Sequence, residues 1–355
     1  MNRTAVIPFL KQILHNKWSI LAFNIGFFIL ITTIFPFLFE ENDDVTMCLI
    51  ANGGYTGMPN GHLVFINAIY GWIVAGLYSL SHCVEWYTLS FCVLQIISMS
   101  VISHWIISKS KWHWAFRTII CIVLYILWIR MIVALQFTTT AGLLCLSGCI
   151  ALLQDNKKWQ LYSITAIFVA SLIRFKAAGL IGLLFMPIFL NEILLLKRKF
   201  IIRTLFLIVI FCLTGWGINR CFYLSSDWNH YYTYNALRGG INDNPNLDYI
   251  RNDLPNSISE EDFSMLCSFM PDAEFITISV LQNIKASIQS KTGIQHYVNN
   301  LKQLSLYRIP LALLGLLFVV LSCANRGGAA PIANIRSTNV LHNHNMAWMY
   351  CNIKK

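Results

Sequence analysis

The sequence predicts an all-α fold, a polytopic bundle of about eight transmembrane helices with an interfacial helix and a small external helical region. Hydrophobic residues make up 56% of the 355 residues and charged residues only 12%, and the mean hydropathy is +0.58. A soluble domain rarely has this composition. Several apolar runs approach the ~20 residues that cross about 30 Å of hydrocarbon, so composition and run length both predict a membrane protein.

The placement of charge predicts how the chain crosses the membrane. The formal net charge is +10, and Lys and Arg cluster in short connections between apolar runs. This pattern follows the positive-inside rule and is not that of a nucleic-acid-binding surface. Arg3, Lys11 and Lys17 precede the first apolar run, residues 18–39, which has the features of a retained signal anchor. The sequence therefore predicts a cytoplasmic N-terminus and no nucleic-acid partner.

Residues 40–62 form the predicted first external loop, which is acidic where the chain leaves the membrane. Glu40, Glu41, Asp43 and Asp44 place four carboxylates within five residues. Carboxylates this close repel one another, so some of their pKa values should rise unless a cation or a donor compensates. Such a cluster suits a general base or a metal site. The alternative is a solvated acidic loop that only marks the external side.

Residues 63–80 are apolar and either span the membrane or lie on its surface. If they span, the basic residues between 109 and 117 fall outside. If they lie on the outer surface, all later basic clusters face the cytoplasm. The run also contains aromatic residues that favour the headgroup region: Tyr70, Trp72 and Tyr78. The sequence therefore predicts an interfacial helix here.

The later apolar runs alternate across the membrane in the predicted topology. The second to seventh spans are residues 86–107, 118–135, 137–153, 159–173, 177–196 and 201–219.

The only sizeable polar region, residues 220–308, is predicted to be an external helical cap. Ser259 has an acid three residues later, as at a capped helix start, and apolar residues recur at helical spacing from Ile278 to Ile288. Residues 309–324 are a marginal eighth span. Residues 325–355 lack periodicity and are predicted to be a disordered tail.

Four short segments carry a resemblance to a known superfamily. They are Asn42-Asp-Asp44, Tyr55-Thr-Gly-Met-Pro-Asn-Gly-His62, Phe65-Ile-Asn67 and Gln136-Phe-Thr-Thr-Thr140. Together with the order of anchor, acidic loop, surface helix and repeated spans, they make residues 15–310 resemble uncharacterised bacterial members of the GT-C superfamily. Members of that superfamily are polytopic glycosyltransferases that use polyprenyl-phosphate-linked sugars.

The resemblance implies a function for the acidic loop. By position, Asp43 and Asp44, with Glu41 as a substitute, would act as the base toward an acceptor hydroxyl. Asp43 and Asp44 would alternatively hold a divalent metal such as Mg²⁺ or Mn²⁺. The resemblance also implies a polyprenyl-phosphate-sugar and membrane lipids as partners, an envelope acceptor, and a location in the bacterial cytoplasmic (inner) membrane.

Cationic residues near the outer surface suit the phosphate of such a donor, because attack on an anomeric carbon needs positive charge near the leaving phosphate. Arg174 and Lys176 lie at the outer end of the fifth predicted span, and Arg130 lies inside the third. Alternatively, Arg174 and Lys176 only snorkel to the headgroups, and Arg130 makes a structural pair with Asp43 or Asp44.

Two further candidates for substrate binding are His62 and Thr139. His62 closes the glycine-rich turn before the surface helix, where a loop or cap hydrogen bond is the alternative role. Thr139 lies among three threonines that meet a lipid phosphate or else only start the fourth span. Aromatic residues between 228 and 234 add a candidate sugar-stacking surface.

Two other functional classes fit the composition. A transporter or flippase for envelope lipids would show broken helices near the middle of the membrane and internal repeats. The sequence has no repeat and its acids lie at the rim, which favours the enzyme. A non-catalytic envelope assembly protein is the third hypothesis.

Overall fold

The computed structural model describes residues 16–109, 112–242, 244, 258–268 and 275–291, all within one compact unit that covers residues 1–296. The predicted last span, the predicted tail and parts of the predicted cap lie outside the described residues. Over the described residues the fold is all-α with one short two-stranded sheet, as predicted. The elements are α1 (Lys17–Ile34), β1 (Leu38–Phe39), α2 (Asn42–Asn52), α3 (Ala68–Leu80), α4 (Trp86–Ser108), α5 (Trp114–Val133), β2 (Ala134–Leu135), α6 (Phe137–Leu152), α7 (Lys157–Leu194), α8 (Lys199–Phe222), α9 (Ser226–Asn242), α10 (Glu260–Cys267) and α11 (Ile278–Lys291).

Several helices have the length and composition of membrane spans. Among the described residues, the five that are long and apolar enough are α1, α4, α5, α7 and α8, while α3 and α6 are shorter apolar helices. These helices indicate a multi-pass membrane protein.

The first apolar run does not remain helical to its predicted end. Helix α1 stops at Ile34, two residues before Pro36, because a proline disfavours helical backbone in the residue before it. The chain then forms β1, which pairs in parallel with β2 through Leu38–Ala134 and Phe39–Leu135. The parallel pairing therefore joins the segment that follows α1 to the segment that follows α5.

Helices α1 and α5 run in the same direction. Phe23 packs on Tyr125, and further along both helices Phe28 packs on Trp128, so the contacts advance together. Inside the bundle, the amide of Asn24 donates to Ser100 on α4 at 2.9 Å. Such polar contacts help to hold apolar helices together inside a membrane, where the hydrophobic effect does not drive them to associate.

The acidic segment predicted as a loop is instead the start of a helix, α2. Asp43 and Asp44 lie in its first turn, where negative charge is favourable beside the exposed backbone N–H groups. Gly53, with φ of 87°, ends the helix in the left-handed conformation that glycine adopts at low cost. An acidic first turn and a glycine stop are signals that predict this helix in retrospect.

Helix α3 begins at Ala68, five residues after the predicted start, and Asn67 caps it by accepting a hydrogen bond from the Ile69 amide at 3.0 Å. At its start, the Ala68 amide donates to Asn219 near the end of α8. At its end, Tyr78 contacts Glu85, next to the start of α4.

Helix α7 is interrupted at Arg174, where φ is −151° and ψ is 96°. A straight helix of 38 residues would extend for about 57 Å. Instead, the Arg198 guanidinium, four residues past its end, donates at 3.1 Å to the carbonyl of Leu153, four residues before its start. The two segments, residues 157–173 and 175–194, therefore fold back on each other at Arg174, where the sequence predicts a turn between two spans.

Where they are described, residues beyond α8 form a small helical cluster. Ser259 caps α10 by accepting a hydrogen bond from the Asp262 amide at 3.0 Å, as its spacing predicts. The cluster has its own apolar core: Ile241, Phe263, Leu266, Ile276, Leu281, Ile284 and Ile288.

The two ends of the helix bundle differ in charge. The acidic end, which holds the starts of α2, α4 and α6, carries Glu40, Glu41, Asp43, Asp44 and Glu85. The basic end holds the starts of α1, α5, α7 and α8. Among the residues that the structure describes, most of the charged ones at this end are basic: Lys17, Lys109, Arg117, Lys157, Lys158, Lys197, Arg198, Lys199 and Arg203.

Candidate functional site

Asp44 is the central carboxylate of the acidic end and is fully buried. Its Oδ1 accepts hydrogen bonds from the Tyr87 hydroxyl at 2.8 Å and from the Phe137 amide at 3.3 Å. These bonds join α2 to the starts of α4 and α6. Its Oδ2 is also buried and has no hydrogen-bond partner among the described residues.

Burial raises the pKa of Asp44 from 3.8 to about 7. The hydrogen bonds from Tyr87 and Phe137 act in the opposite direction, and the charges of Asp43 and Glu41 add a smaller upward shift. A buried carboxylate oxygen without a donor favours the protonated form, since a buried charge without compensation is costly. The sequence-based expectation of a raised pKa in this cluster agrees with this result, although burial outweighs mutual repulsion as its cause.

A polar network that the sequence analysis missed extends from Asp44 across α3 and α4. The Tyr87 amide donates to the Tyr78 hydroxyl at 3.1 Å, and that hydroxyl donates to Glu85 at 2.9 Å. The Cys48 thiol, one turn along α2 from Asp44, also donates to Glu85 at 3.6 Å. The network joins two separate segments, residues 44–48 and 78–87, and fits no local motif, so only the fold brings the two segments together.

Asp43 and Glu41 are exposed, unlike their neighbour Asp44. Consecutive helical residues point about 100° apart, so one acid of the adjacent pair faces the interior and the other faces outward. The pKa of Tyr231 on α9 is raised by burial first, and the charge of Asp43 contributes to the rise. Asp43 therefore lies near the aromatic segment of the cap.

Arg130 contacts Glu40, and not Asp43 or Asp44 as the sequence analysis proposed. Arg130 lies in the last turn of α5, four residues before β2, and Glu40 directly follows β1, so the parallel strands bring the two side chains together. The side chain of Arg130 is 62% exposed and that of Glu40 is 28% exposed. Most of the Arg130 side chain therefore remains accessible.

Arg174 lies at the interruption of α7, close to the partners of Asp44. Its guanidinium is 5.0 Å from the ring centroid of Phe137 and 5.8 Å from that of Phe65, so it stacks on both rings. Phe137 is also the residue whose amide binds Asp44. Lys176, two residues on, is exposed. Both cations therefore lie at the acidic end, as predicted.

His62 is buried between the turn that follows α2 and the end of α8. Its Nδ1 lies 2.8 Å from Asn60 Oδ1, and its Nε2 lies 3.1 Å from the Phe222 carbonyl oxygen. The ring stacks on Trp228 of α9 with centroids 4.1 Å apart. Burial lowers the pKa of His62, and the Phe222 carbonyl acts against this shift. These contacts are those of the alternative role, a hydrogen-bonded loop residue, with the added contact to the cap.

Thr139 is half-buried in the first turn of α6. Its hydroxyl donates to the Gln136 carbonyl at 3.1 Å, which closes the turn that starts the helix. The neighbouring Thr140 accepts from the Gln95 amide at 3.0 Å inside the bundle. The contacts of Thr139 are therefore those of a residue that starts a helix.

Asp44 does not fit as a ligand of a divalent cation. Within the described ranges, no group of three or more His, Cys, Asp or Glu side chains is placed to hold a metal ion. One oxygen of Asp44 already accepts two hydrogen bonds, and the whole side chain is buried. Mg²⁺ and Mn²⁺ need several oxygen ligands and usually retain water, which this position does not provide.

Comparison with family models, with curated proteins and with solved structures finds no match to this chain. The resemblance to the GT-C superfamily therefore rests on its sequence motifs.

Proposed function

We propose that the chain is a membrane glycosyltransferase-like protein of the GT-C type. It transfers a sugar from a polyprenyl-phosphate-linked donor to an envelope acceptor on the outer face of the bacterial cytoplasmic membrane. The observation that carries the proposal is the acidic end itself. There, an exposed Asp43 stands beside a buried, hydrogen-bonded Asp44, and Arg130, Arg174 and Lys176 lie at the same end.

In this proposal Asp43 is the base. It accepts the proton of the acceptor hydroxyl while that oxygen bonds to the anomeric carbon of the donor. The bond from that carbon to the phosphate oxygen breaks, and its electron pair leaves with polyprenyl phosphate. Arg174 and Lys176 stabilise the charge that develops on the phosphate. Asp44 is too buried to reach an acceptor, so it holds the first turn of α2 in place through Tyr87 and Phe137.

The proposed topology has about eight spans, counts α7 as two, and places α3 on the outer surface. Support comes from the contacts of α3, whose start meets the end of α8 and whose end meets the start of α4. The excess of Lys and Arg at the basic end supports a cytoplasmic N-terminus.

A transporter is the second candidate, and the interruption of α7 is the observation that favours it. Transporters often place substrate sites at broken helices near the middle of the membrane. Here the break lies at the acidic end, since the adjacent Leu172 carbonyl accepts from Asn67, which caps α3. The position of the break therefore favours a turn between two spans.

The test uses membranes that contain the full chain and a pool of polyprenyl-phosphate-linked sugar, and it measures release of polyprenyl phosphate. Asp43→Asn should lower the rate by about 10²- to 10⁴-fold, because it removes the basic lone pair and nearly preserves size. Asp155→Asn, an exposed acid at the basic end, is the matched control and should leave the rate unchanged.

Two results would count against the proposal in different ways. Unchanged release by Asp43→Asn would remove Asp43 as the base while leaving the activity in place. No release by the wild-type chain would instead favour the transporter or the non-catalytic assembly protein.

A further inference from the structure

The half-buried side chain of Arg174 packs against two aromatic rings, each from one of the four short segments singled out in the sequence. Its guanidinium carbon lies 5.0 Å from the ring centroid of Phe137 and 5.8 Å from that of Phe65. The two centroids are 6.4 Å apart, so all three groups pack together at the interruption of α7. Because a cation is attracted to the face of an aromatic ring, the two rings restrict the orientation of the guanidinium.

The Phe65 ring is placed by a turn with a strained backbone. The Phe65 amide donates to the Leu63 carbonyl at 2.7 Å, which closes a tight turn around Val64. Val64 has a φ of 64°, a left-handed conformation that is unfavourable for a β-branched residue. The surrounding structure maintains the turn, because the Val64 amide donates to the Tyr223 hydroxyl at 3.1 Å. Backbone strain that is maintained in this way is concentrated at binding and catalytic sites.

The fold holds both rings independently of Arg174. Two residues after Phe65, the Asn67 amide donates to the Leu172 carbonyl at 2.8 Å, which ties this segment to α7 next to its interruption. The Phe137 side chain is only 3% exposed, and the Phe137 amide donates to Asp44. The rings therefore form a fixed support for the guanidinium.

We propose that Phe65 and Phe137 are positioning residues that orient the Arg174 guanidinium toward the phosphate of the lipid-linked donor. Stacking on a ring uses the face of a guanidinium, whereas its N–H groups point outward in the plane and bind phosphate oxygens in pairs. A guanidinium that is already oriented loses less conformational entropy on binding, so the rings increase the affinity for phosphate. This inference rests on the proposed function, because it concerns the same donor site.

The experiment measures binding of polyprenyl phosphate to the full chain in mild detergent, as the gain in thermal stability over the same variant without ligand. Phe65→Leu keeps an apolar side chain and removes the ring, so it should weaken the apparent affinity about 3- to 10-fold. Phe137→Leu should act similarly, and it keeps the amide that binds Asp44. Phe37→Leu is the matched control and should bind like wild type, because this half-buried ring packs edge-on against Phe28.

A double-mutant cycle separates positioning from a structural role. Arg174→Gln removes the charge that the rings attract, and should weaken binding about 10-fold or more. In the Arg174→Gln background, Phe65→Leu should weaken binding by less than about 2-fold, because the ring acts through the guanidinium. An equal effect of Phe65→Leu in both backgrounds would show that the ring only supports the fold, and would overturn the proposal.

Release of polyprenyl phosphate from a lipid-linked sugar, measured on the same variants, separates this proposal from the proposed activity. If wild type binds polyprenyl phosphate in a ring-dependent way but releases none, the positioning role is supported and the transferase activity is not. If wild type releases it and both Phe65→Leu and Phe137→Leu bind and release like wild type, the activity is supported and the positioning role is overturned. Absence of binding by wild type would also overturn the positioning role.

Discussion

Each end of the bundle buries one carboxylate completely, and the two are held in different ways. At the acidic end Asp44 meets a hydroxyl and a backbone amide, which are neutral donors. At the basic end Glu192 lies 3.2 Å from the Arg198 guanidinium, which is a counter-charge. The comparison shows that complete burial of a carboxylate does not decide the charge of its partners. A neutral partner leaves the buried charge costly, while a guanidinium offsets it.

The largest expected effect concerns Asp44. Because its pKa is about 7 in the folded chain and 3.8 ordinarily, folding binds a proton between these pH values. The free energy of unfolding should therefore fall as pH rises from about 4 to 7, by at most about 4 kcal/mol. Asp44→Asn should remove this dependence. Unfolding in mild detergent at several pH values measures it.

The control for this measurement is Asp43→Asn, which changes the adjacent but exposed acid. That variant should keep the pH dependence of the wild-type chain. A pH dependence that survives Asp44→Asn and disappears in Asp43→Asn would reverse the assignment.

A smaller effect is expected at the basic end. Arg198→Met should cost about 3 kcal/mol, because it removes a counter-charge from the buried Glu192. This cost is at the lower end of the range expected for breaking a buried ion pair, because the Arg198 side chain is 36% exposed. Chemical unfolding of the variant measures the loss. The double change with Glu192→Met should recover much of it, whereas Arg203→Met, at an exposed arginine, should cost little.

The smallest effect is expected for the exposed pair of Arg130 and Glu40. Glu40→Gln should lower the free energy of unfolding by less than about 1 kcal/mol, because water screens exposed pairs. The same unfolding measurement tests it beside Arg198→Met. If Glu40→Gln lowers the free energy of unfolding as much as Arg198→Met does, solvent exposure does not explain how strongly each ion pair stabilises the fold.

The sequence predicts much of the helix pattern because local signals mark it. The starts of α4 at Trp86 and of α6 at Phe137 agree with prediction, and the capped start of α10 follows from Ser259. The sequence analysis paired Arg130 with Asp43 or Asp44 and missed Glu40, because only the pairing of β1 with β2 decides which acid of this segment lies beside Arg130. Adjacent acids look equivalent in sequence, so the burial of Asp44 beside an exposed Asp43 appears only with the packing of α4 and α6.

The bond between Asp44 and the Phe137 amide also has a consequence for biogenesis. The two residues are separated by 93 positions, so the amide is synthesised long after the carboxylate. At synthesis rates of about 5–20 residues per second, Asp44 waits roughly 5 to 20 s for this partner. During that interval α2 lacks one of the bonds that fix its first turn. The acidic end is therefore complete only after α5 has been synthesised, and a ribosome that stalls before residue 137 leaves α2 held by Tyr87 without the bond to Phe137.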